Sequence, residues 1–278
     1  MCKMKSAIIL KDRIFIPDYD SHSDMLKELG IEDTGKNAAM LFVRAELSPK
    51  NGDVFTSIDE WIFEVDQDIK PDWFVESYEK ERMVQAVKEW AKNRIHLGID
   101  GLKINSGANH YIKDCKNVEV YGSASIGRVC GSASISNVYD NASIVRVCDS
   151  ASISNVCDSA SISDVGGSAS ISYVYDSARI SDVCGNASIS CVYDSASISN
   201  VCDSASISYV YDSARISEAK GNAVVANSPY SKWQKQSDLI LSENATFKDN
   251  IGKVIYQSGD YKLVSVKAGT ALKARAEQ

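Results

Sequence analysis

Residues 122–220 read GSASIGRVC-GSASISNVY-DNASIVRVC-DSASISNVC-DSASISDVG-GSASISYVY-DSARISDVC-GNASISCVY-DSASISNVC-DSASISYVY-DSARISEAK, eleven nine-residue units without a gap. In each unit an alanine and an isoleucine stand two apart between serines, the period-2 alternation of a strand with one buried face. A valine follows three positions after the isoleucine, so the alternation breaks and the chain bends there. A Gly or Asp followed by Ser or Asn then marks a turn, because these residues tolerate unusual backbone angles and hydrogen-bond locally. A unit this short buries its apolar face only against its neighbours, which is the logic of a solenoid. A nine-residue period of this composition admits no helical stripe.

The variable positions set the size of one coil. At 18-residue steps the last residue of the unit runs Cys130, Cys148, Gly166, Cys184, Cys202 in one series and Tyr139, Cys157, Tyr175, Tyr193, Tyr211 in the other. All four tyrosines fall in one series, whereas a 27-residue coil scatters them. Two units per coil is therefore expected, with successive coils stacked at about 4.8 Å as parallel strands. Ala124, Ile126, Val129 and their equivalents then form inward ladders, serines face outward, and the array makes between five and six coils. The expected fold is a β-solenoid (a parallel β-helix or roll with an 18-residue coil) with an N-terminal α+β domain.

The flanks divide the chain into residues 1–103, an α+β domain; 104–227, the solenoid; and 228–278, a C-terminal cap. In the first domain the sequence predicts strands at Ala7–Leu10, Ile14–Ile16, Ala38–Leu47 and Glu60–Val65. It predicts a helix over Ser23–Leu29 closed by Gly30, and a long helix over Asp72–Ile95 with Phe74, Tyr78, Met83, Val87, Trp90 and Ile95 as its buried stripe. Residues 104–121 read as a degenerate first coil. After the array, Asn244-Ala-Thr-Phe247 echoes the repeat and predicts one more rung beyond a loop at 228–237. Lys253–Gln257 and Tyr261–Val266 read as a terminal hairpin.

The chain carries 30 basic and 37 acidic residues, and residues 122–221 hold five basic against ten acidic. An acidic rod is a poor direct ligand for nucleic acid, which needs clustered Lys and Arg to neutralise phosphates. No stretch approaches the roughly 20 apolar residues of a membrane helix. A cytoplasmic location is expected, and with it reduced cysteines, although Cys130/Cys148 and Cys184/Cys202 lie one coil apart, a spacing that permits disulfides under oxidation. The cysteines lack the spacing of a zinc site, so inert thiol ladders and no metal are expected. The three histidines, His22, His96 and His110, all lie outside the array. Hexapeptide-repeat acyltransferases, also solenoids, use a histidine base between coils, and the serines here have none to activate them. No catalytic residue and no cofactor are expected. The acidic residues Asp66, Asp68 and Asp72 precede the long helix and read as caps.

Two features of the array are candidates for recognition. Tyr139, Tyr173, Tyr175, Tyr193, Tyr209 and Tyr211 lie on one side of the rod, and tyrosine offers contact area and a hydroxyl at low entropic cost. The competing reading is a stacked aromatic edge that only stabilises the repeat. Asp140, Asp158, Asp176, Asp194 and Asp212 open alternate units and form a file of like charges on that same side, with Gly122 at its head. The file reads either as a surface for a basic partner, in the manner of a phosphate backbone, or as a set of turn caps; the interchange of Asp with Gly speaks for caps. The toxin-type calcium nonapeptide shares the length and coil size but needs glycines and an Asp that this unit lacks.

The motif Gly-Asn-Ala-x-[Ile/Val], in Gly185-Asn-Ala-Ser-Ile189 and Gly221-Asn-Ala-Val-Val225, resembles uncharacterised bacterial and phage solenoid proteins with repeats of this type. Asp114-Cys-Lys-Asn-Val118 and Asn244-Ala-Thr-Phe-Lys-Asp249 look like parts of the same proteins. The resemblance implies a phage or mobile-element context and no activity. The functional expectation is a non-enzymatic protein-binding solenoid with a protein partner, such as a basic nucleic-acid-binding host-defence protein inhibited through the Tyr/Asp edge. The alternative expectation is a structural, virion-associated or scaffold protein that forms a homo-oligomer.

Overall fold

A computed structural model describes residues 5–227, 239–248, 254–255 and 261–263. The chain divides into two compact units, Met1–His96 and Leu97–Gln278. The predicted loop at 228–237 lies outside the described residues.

The first unit carries strands β1 (Lys5–Leu10), β2 (Ile14–Phe15), β3 (Phe42–Ser48) and β4 (Ile62–Val65) in one antiparallel sheet of order β2-β1-β3-β4. Helices α1 (His22–Glu28), α2 (Gly35–Ala38) and α3 (Glu76–Lys92) accompany it. Ser21 caps α1 by accepting the Asp24 amide, and Gly30, at φ 68°, ends the segment that follows. Ile8, Met25, Leu26, Ala38 and Phe42 pack into one core cluster. Two expectations need correction. Residues 38–41 are not strand: Thr34 caps the short helix α2 through the Asn37 amide, and β3 begins only at Phe42. The long helix starts at Glu76 because residues 71–74 close a turn, with the Phe74 amide on the Pro71 carbonyl. Its buried residues include Met83, Val84, Val87 and Ala91, while Tyr78 is exposed.

The second unit is a β-solenoid. Its strands are β5 (Ile95–Leu97, at the division), β6 (Lys103–Ile104), β7 (His110–Lys113), β8 (Val118–Val120), β9 (Ser125–Cys130), β10 (Ser134–Val138), β11 (Ser143–Val147), β12 (Ser152–Val156), β13 (Ser161–Val165), β14 (Ser170–Val174), β15 (Arg179–Val183), β16 (Ser188–Val192), β17 (Ser197–Val201), β18 (Ser206–Val210), β19 (Arg215–Ala219), β20 (Val224–Asn227), β21 (Leu239–Leu241), β22 (Thr246–Lys248), β23 (Val254–Ile255) and β24 (Tyr261–Leu263). The odd strands from β5 to β21 line up in one ten-stranded sheet closed by β24, and the even strands from β6 to β22 in a second closed by β23. Through the repeat, each strand pairs in parallel with the strand two units away, as in Ile135↔Ile153 and Val138↔Val156.

The inward ladders are as read from the repeat: Ala124, Ile126 and Val129, and their equivalents through Ala214 and Ile216, are at most 1% exposed. Burying each Ile or Val contributes roughly 1.5–3 kcal/mol. The two residues between Ile and Val both face outward, as at Val145 and Arg146 between Ile144 and Val147. That pair of outward residues is the bend that the break in alternation implies. Each unit then closes with a four-residue turn, in which the Ala142 amide bonds the Tyr139 carbonyl and Asp140 adopts φ 58°. The degenerate coil at 104–121 forms, β7 pairing with β9 and β8 with β10. Thr246 and Phe247 pair with Val224 and Val225, so the rung after the loop also forms. The terminal strands are not a hairpin. Strand β23 pairs antiparallel with β22 and β24 with β21, so one strand closes each sheet. Among the described residues, no helix is long and apolar enough to cross a membrane.

Candidate functional site: the tyrosine and aspartate edge

The turns that follow the even strands of the repeat make one edge of the solenoid. Their first central residues, Asp140, Asp158, Asp176, Asp194 and Asp212, all have φ between 51° and 58°. Each of these aspartates lies at the surface. Asp and Asn are the non-glycine residues that best tolerate this left-handed region, because their short polar side chains bond locally. Here the bond is to the neighbouring coil rather than to the turn itself. The Asp140 carboxylate accepts the Gly122 amide at 3.0 Å, Asp158 accepts the Asp140 amide at 3.1 Å, Asp176 accepts that of Asp158 at 3.3 Å and Asp194 that of Asp176 at 3.4 Å. Asp140, Asp158, Asp176 and Asp194 therefore each cap the turn one coil earlier and zip successive coils. The opposite edge does the same where it has aspartate, Asp149 on the Gly131 amide and Asp203 on the Gly185 amide, both at 3.0 Å. The caps thus act between coils, whereas the sequence suggested caps within each turn. In each bond along the file one carboxylate oxygen, Oδ2, serves the amide.

The tyrosines divide into two sets. Tyr139, Tyr175, Tyr193 and Tyr211 precede the aspartates and are largely shielded. Tyr175 and Tyr193 stack with centroids 5.0 Å apart, and Tyr139 stacks at 5.2 Å on Tyr121. Tyr121 is thus the first rung of the ladder, missed in the sequence although it stands one coil before Tyr139. Cys157 interrupts the file and hydrogen-bonds Tyr175. That bond, followed by burial, raises the Tyr175 hydroxyl above the ordinary phenol value, and burial is the leading cause of the upward shifts of Tyr139 and Tyr193. Stacking is the stabilising role that competes with recognition, and these rings perform it. Tyr173 and Tyr209 are different. They sit in mid-strand on β14 and β18, at the same position as Cys191 on β16, and are 46% and 47% exposed. Tyr209 lies 6.0 Å from Tyr211, which joins Tyr209 to the edge.

Charge is partitioned between the two faces. Strands β10, β12, β14, β16 and β18 carry no Lys or Arg, while the facing sheet mixes Arg128, Arg146, Arg179 and Arg215 with Asp164, Asp182 and Glu218. On that mixed sheet Arg146 pairs with Asp164 at 2.9 Å. The strands that lead into the aspartate file carry no cation, while β15 and β19, which lead out of it, begin with Arg179 and Arg215.

The cysteines give one further correction. Cys184 and Cys202 form a disulfide between adjacent coils, with Cα atoms 4.7 Å apart. Cys115, Cys130, Cys148, Cys157 and Cys191 are free. Parallel register sets equivalent residues side by side, so the disulfide needs only the one-coil spacing. Burial pushes the Cys130 thiol up to about 11 and also raises Cys157 and Cys191, which keeps them protonated and poorly nucleophilic at neutral pH. Among the described residues, two groups in the solenoid have metal-like proximity. Cys184, Cys202 and Asp203 spend both sulfurs on the disulfide, and Cys157, Asp158 and Asp176 combine that raised thiol with carboxylates already bonded to amides. In comparison with known proteins, no family model matches the chain, and no curated protein or solved structure matches it.

Proposed function

We propose that the solenoid is a non-enzymatic protein-binding module whose aspartate file and exposed Tyr173 and Tyr209 dock a basic protein surface. The partner class this reading favours is a nucleic-acid-binding protein, and the resemblance to phage solenoids suggests inhibition of a host-defence protein as the setting. The observation that carries the reading is the file of exposed carboxylates along one edge, entered from strands without a cation, with Arg179 and Arg215 opening two of the strands that leave it. One charge per coil is one charge per about 4.8 Å of rod. A DNA strand carries one per about 3.4 Å of axis. The edge therefore presents roughly two thirds of the linear charge density of one strand, on a rigid support. Rigidity favours binding because little conformational entropy is lost on docking.

The test is the triple substitution Asp158→Asn, Asp176→Asn and Asp194→Asn. Asparagine keeps a side-chain oxygen for the amide of the preceding coil and tolerates positive φ, so the change removes charge and leaves the turn. In affinity capture from host extract, the parent protein should retain a partner that elutes with rising salt, and the triple variant should not. Equal capture by both proteins excludes the aspartate file as the docking surface.

The self-assembling scaffold has less support. Strands β23 and β24 end both parallel ladders with antiparallel pairing, so a second copy cannot continue the solenoid register at that end. Light scattering over a concentration series separates the two readings; mass that grows with concentration favours the scaffold.

A further inference from the structure

We propose that His22, Glu46 and Asp66, in the first unit, form a binding site for a divalent transition-metal cation, with zinc as the reference ion. The three residues come from separate elements. His22 opens α1, Glu46 lies on the central strand β3, and Asp66 follows β4, anchored by its amide on the Arg44 carbonyl at 2.9 Å. A ring nitrogen of His22 and one carboxylate oxygen from each acid lie within 4.8 Å of one another.

The hydrogen-bond pattern of His22 assigns its tautomer. Its Nε2 lies 3.2 Å from the Ala45 carbonyl, which can only accept, so Nε2 carries a proton. In the neutral ring Nδ1 is then a bare lone pair, and it faces the Asp66 carboxylate at 3.3 Å. A lone pair aimed at a carboxylate is repulsive unless a cation lies between them or the ring is doubly protonated. Two ligands about 2.0–2.1 Å from a tetrahedral zinc lie about 3.3 Å apart, which matches this separation. Metal-ligating histidines also habitually donate the other N–H to a backbone carbonyl, the bond made here to Ala45.

Glu46 is the independent observation. It is 9% exposed, and among the described residues its carboxylate has no hydrogen-bond donor and no ion pair. Buried charges are ordinarily paired or bound to a metal. The cations of β3 and β1 are committed elsewhere, Arg44 to Asp33 and Lys5 to Asp20. Ser6, directly opposite Glu46 in the sheet, is fully buried and its hydroxyl also has no partner. A bound cation satisfies the Glu46 charge and the Nδ1 lone pair together. It also ties α1 to β3 and the segment after β4, so it stabilises the folded unit by mass action.

The experiment uses the full-length protein, stripped with a chelator and titrated with Zn2+ by calorimetry and elemental analysis. About one ion per chain should bind, with the dissociation constant raised on the order of 100-fold in Glu46→Gln and at least about 10-fold in Asp66→Asn. The Asp66 side chain is 64% exposed, so Asp66→Asn tests the site with the fold intact, checked by circular dichroism. At equal zinc concentration the melting temperature should rise further for the parent than for this variant. X-ray absorption on the parent needs no variant: the first shell should hold nitrogen and oxygen at about 2.0 Å, including an imidazole. Absence of bound zinc overturns the proposal. Unchanged affinity in Asp66→Asn and Glu46→Gln, or a sulfur shell at about 2.3 Å from the free thiols, overturns it as well.

Discussion

Replacing Asp176 separates the three things an edge aspartate supplies: left-handed backbone, an inter-coil hydrogen bond and a charge. Its φ is 54°, and its carboxylate accepts the Asp158 amide at 3.3 Å. Alanine meets the left-handed conformation at a cost of about 1–2 kcal/mol. It also loses a hydrogen bond worth about 0.5–1.5 kcal/mol net. Asp176→Ala should therefore destabilise by roughly 2–3 kcal/mol, which is roughly 4–12 °C in melting temperature for a unit of this size. Asp176→Gly adopts the same φ freely and loses mainly the hydrogen bond, so it should fall between alanine and the parent. Asp176→Asn keeps the conformation and an acceptor oxygen, and it removes repulsion from Asp158 and Asp194. At one-coil spacing each repulsion is about 0.9 kcal/mol in unscreened water. Physiological salt roughly halves it. The asparagine variant should thus match the parent within about 1 kcal/mol, since the relief offsets the weaker neutral hydrogen bond. Thermal unfolding followed by circular dichroism, at low and physiological salt, reads all three. Alanine tolerated as well as asparagine refutes the backbone argument. Asparagine as damaging as alanine shows that the charge itself holds the coil.

The Cys184–Cys202 disulfide closes an 18-residue loop. A reductant or Cys202→Ser should accordingly lower stability by about 3 kcal/mol in denaturant titration, and reductant should have no effect on the serine variant. Asp114 is held below the ordinary carboxylate range first by the Ser132 amide and then by the Ser132 hydroxyl. Its folded pKa is depressed, so its contribution is complete above the ordinary aspartate value of about 3.9 and is lost as pH falls through the folded value. Unfolding midpoints measured downward from about pH 6 should draw closer for the parent and Asp114→Ala toward the acid end, leaving only the gap set by the left-handed backbone of Asp114, φ 56°; a gap that does not change with pH refutes the assignment.

The repeat was legible because every unit states the same local rule. Alanine, isoleucine and valine recur at spacings that only a bent, half-buried strand satisfies, and the tyrosine series alone selects two units per coil. The flanks were less legible where a local pattern competes with a tertiary contact. Residues 38–41 are apolar enough to read as strand, yet the Thr34 cap makes a helical turn that runs into them. The two terminal strands read as a hairpin because they adjoin in sequence, but each finds an open sheet edge instead. Tyr121 was missed because the nine-residue motif around it has decayed while its place in the ladder has not.

Periodicity and the alternation of side chains along a strand were enough to dictate the solenoid, the coil length, the inward ladders and the two-sidedness of the rod. What the exposed residues bond to emerged only in the packed fold. Asp176 reaches the amide of Asp158 in the preceding coil, and Tyr121 stacks on Tyr139. His22, Glu46 and Asp66 converge from three elements in a unit that has no repeat to announce it. Contacts between coils and between distant elements depend on register and packing, and a single chain read in order carries those only where a period repeats them.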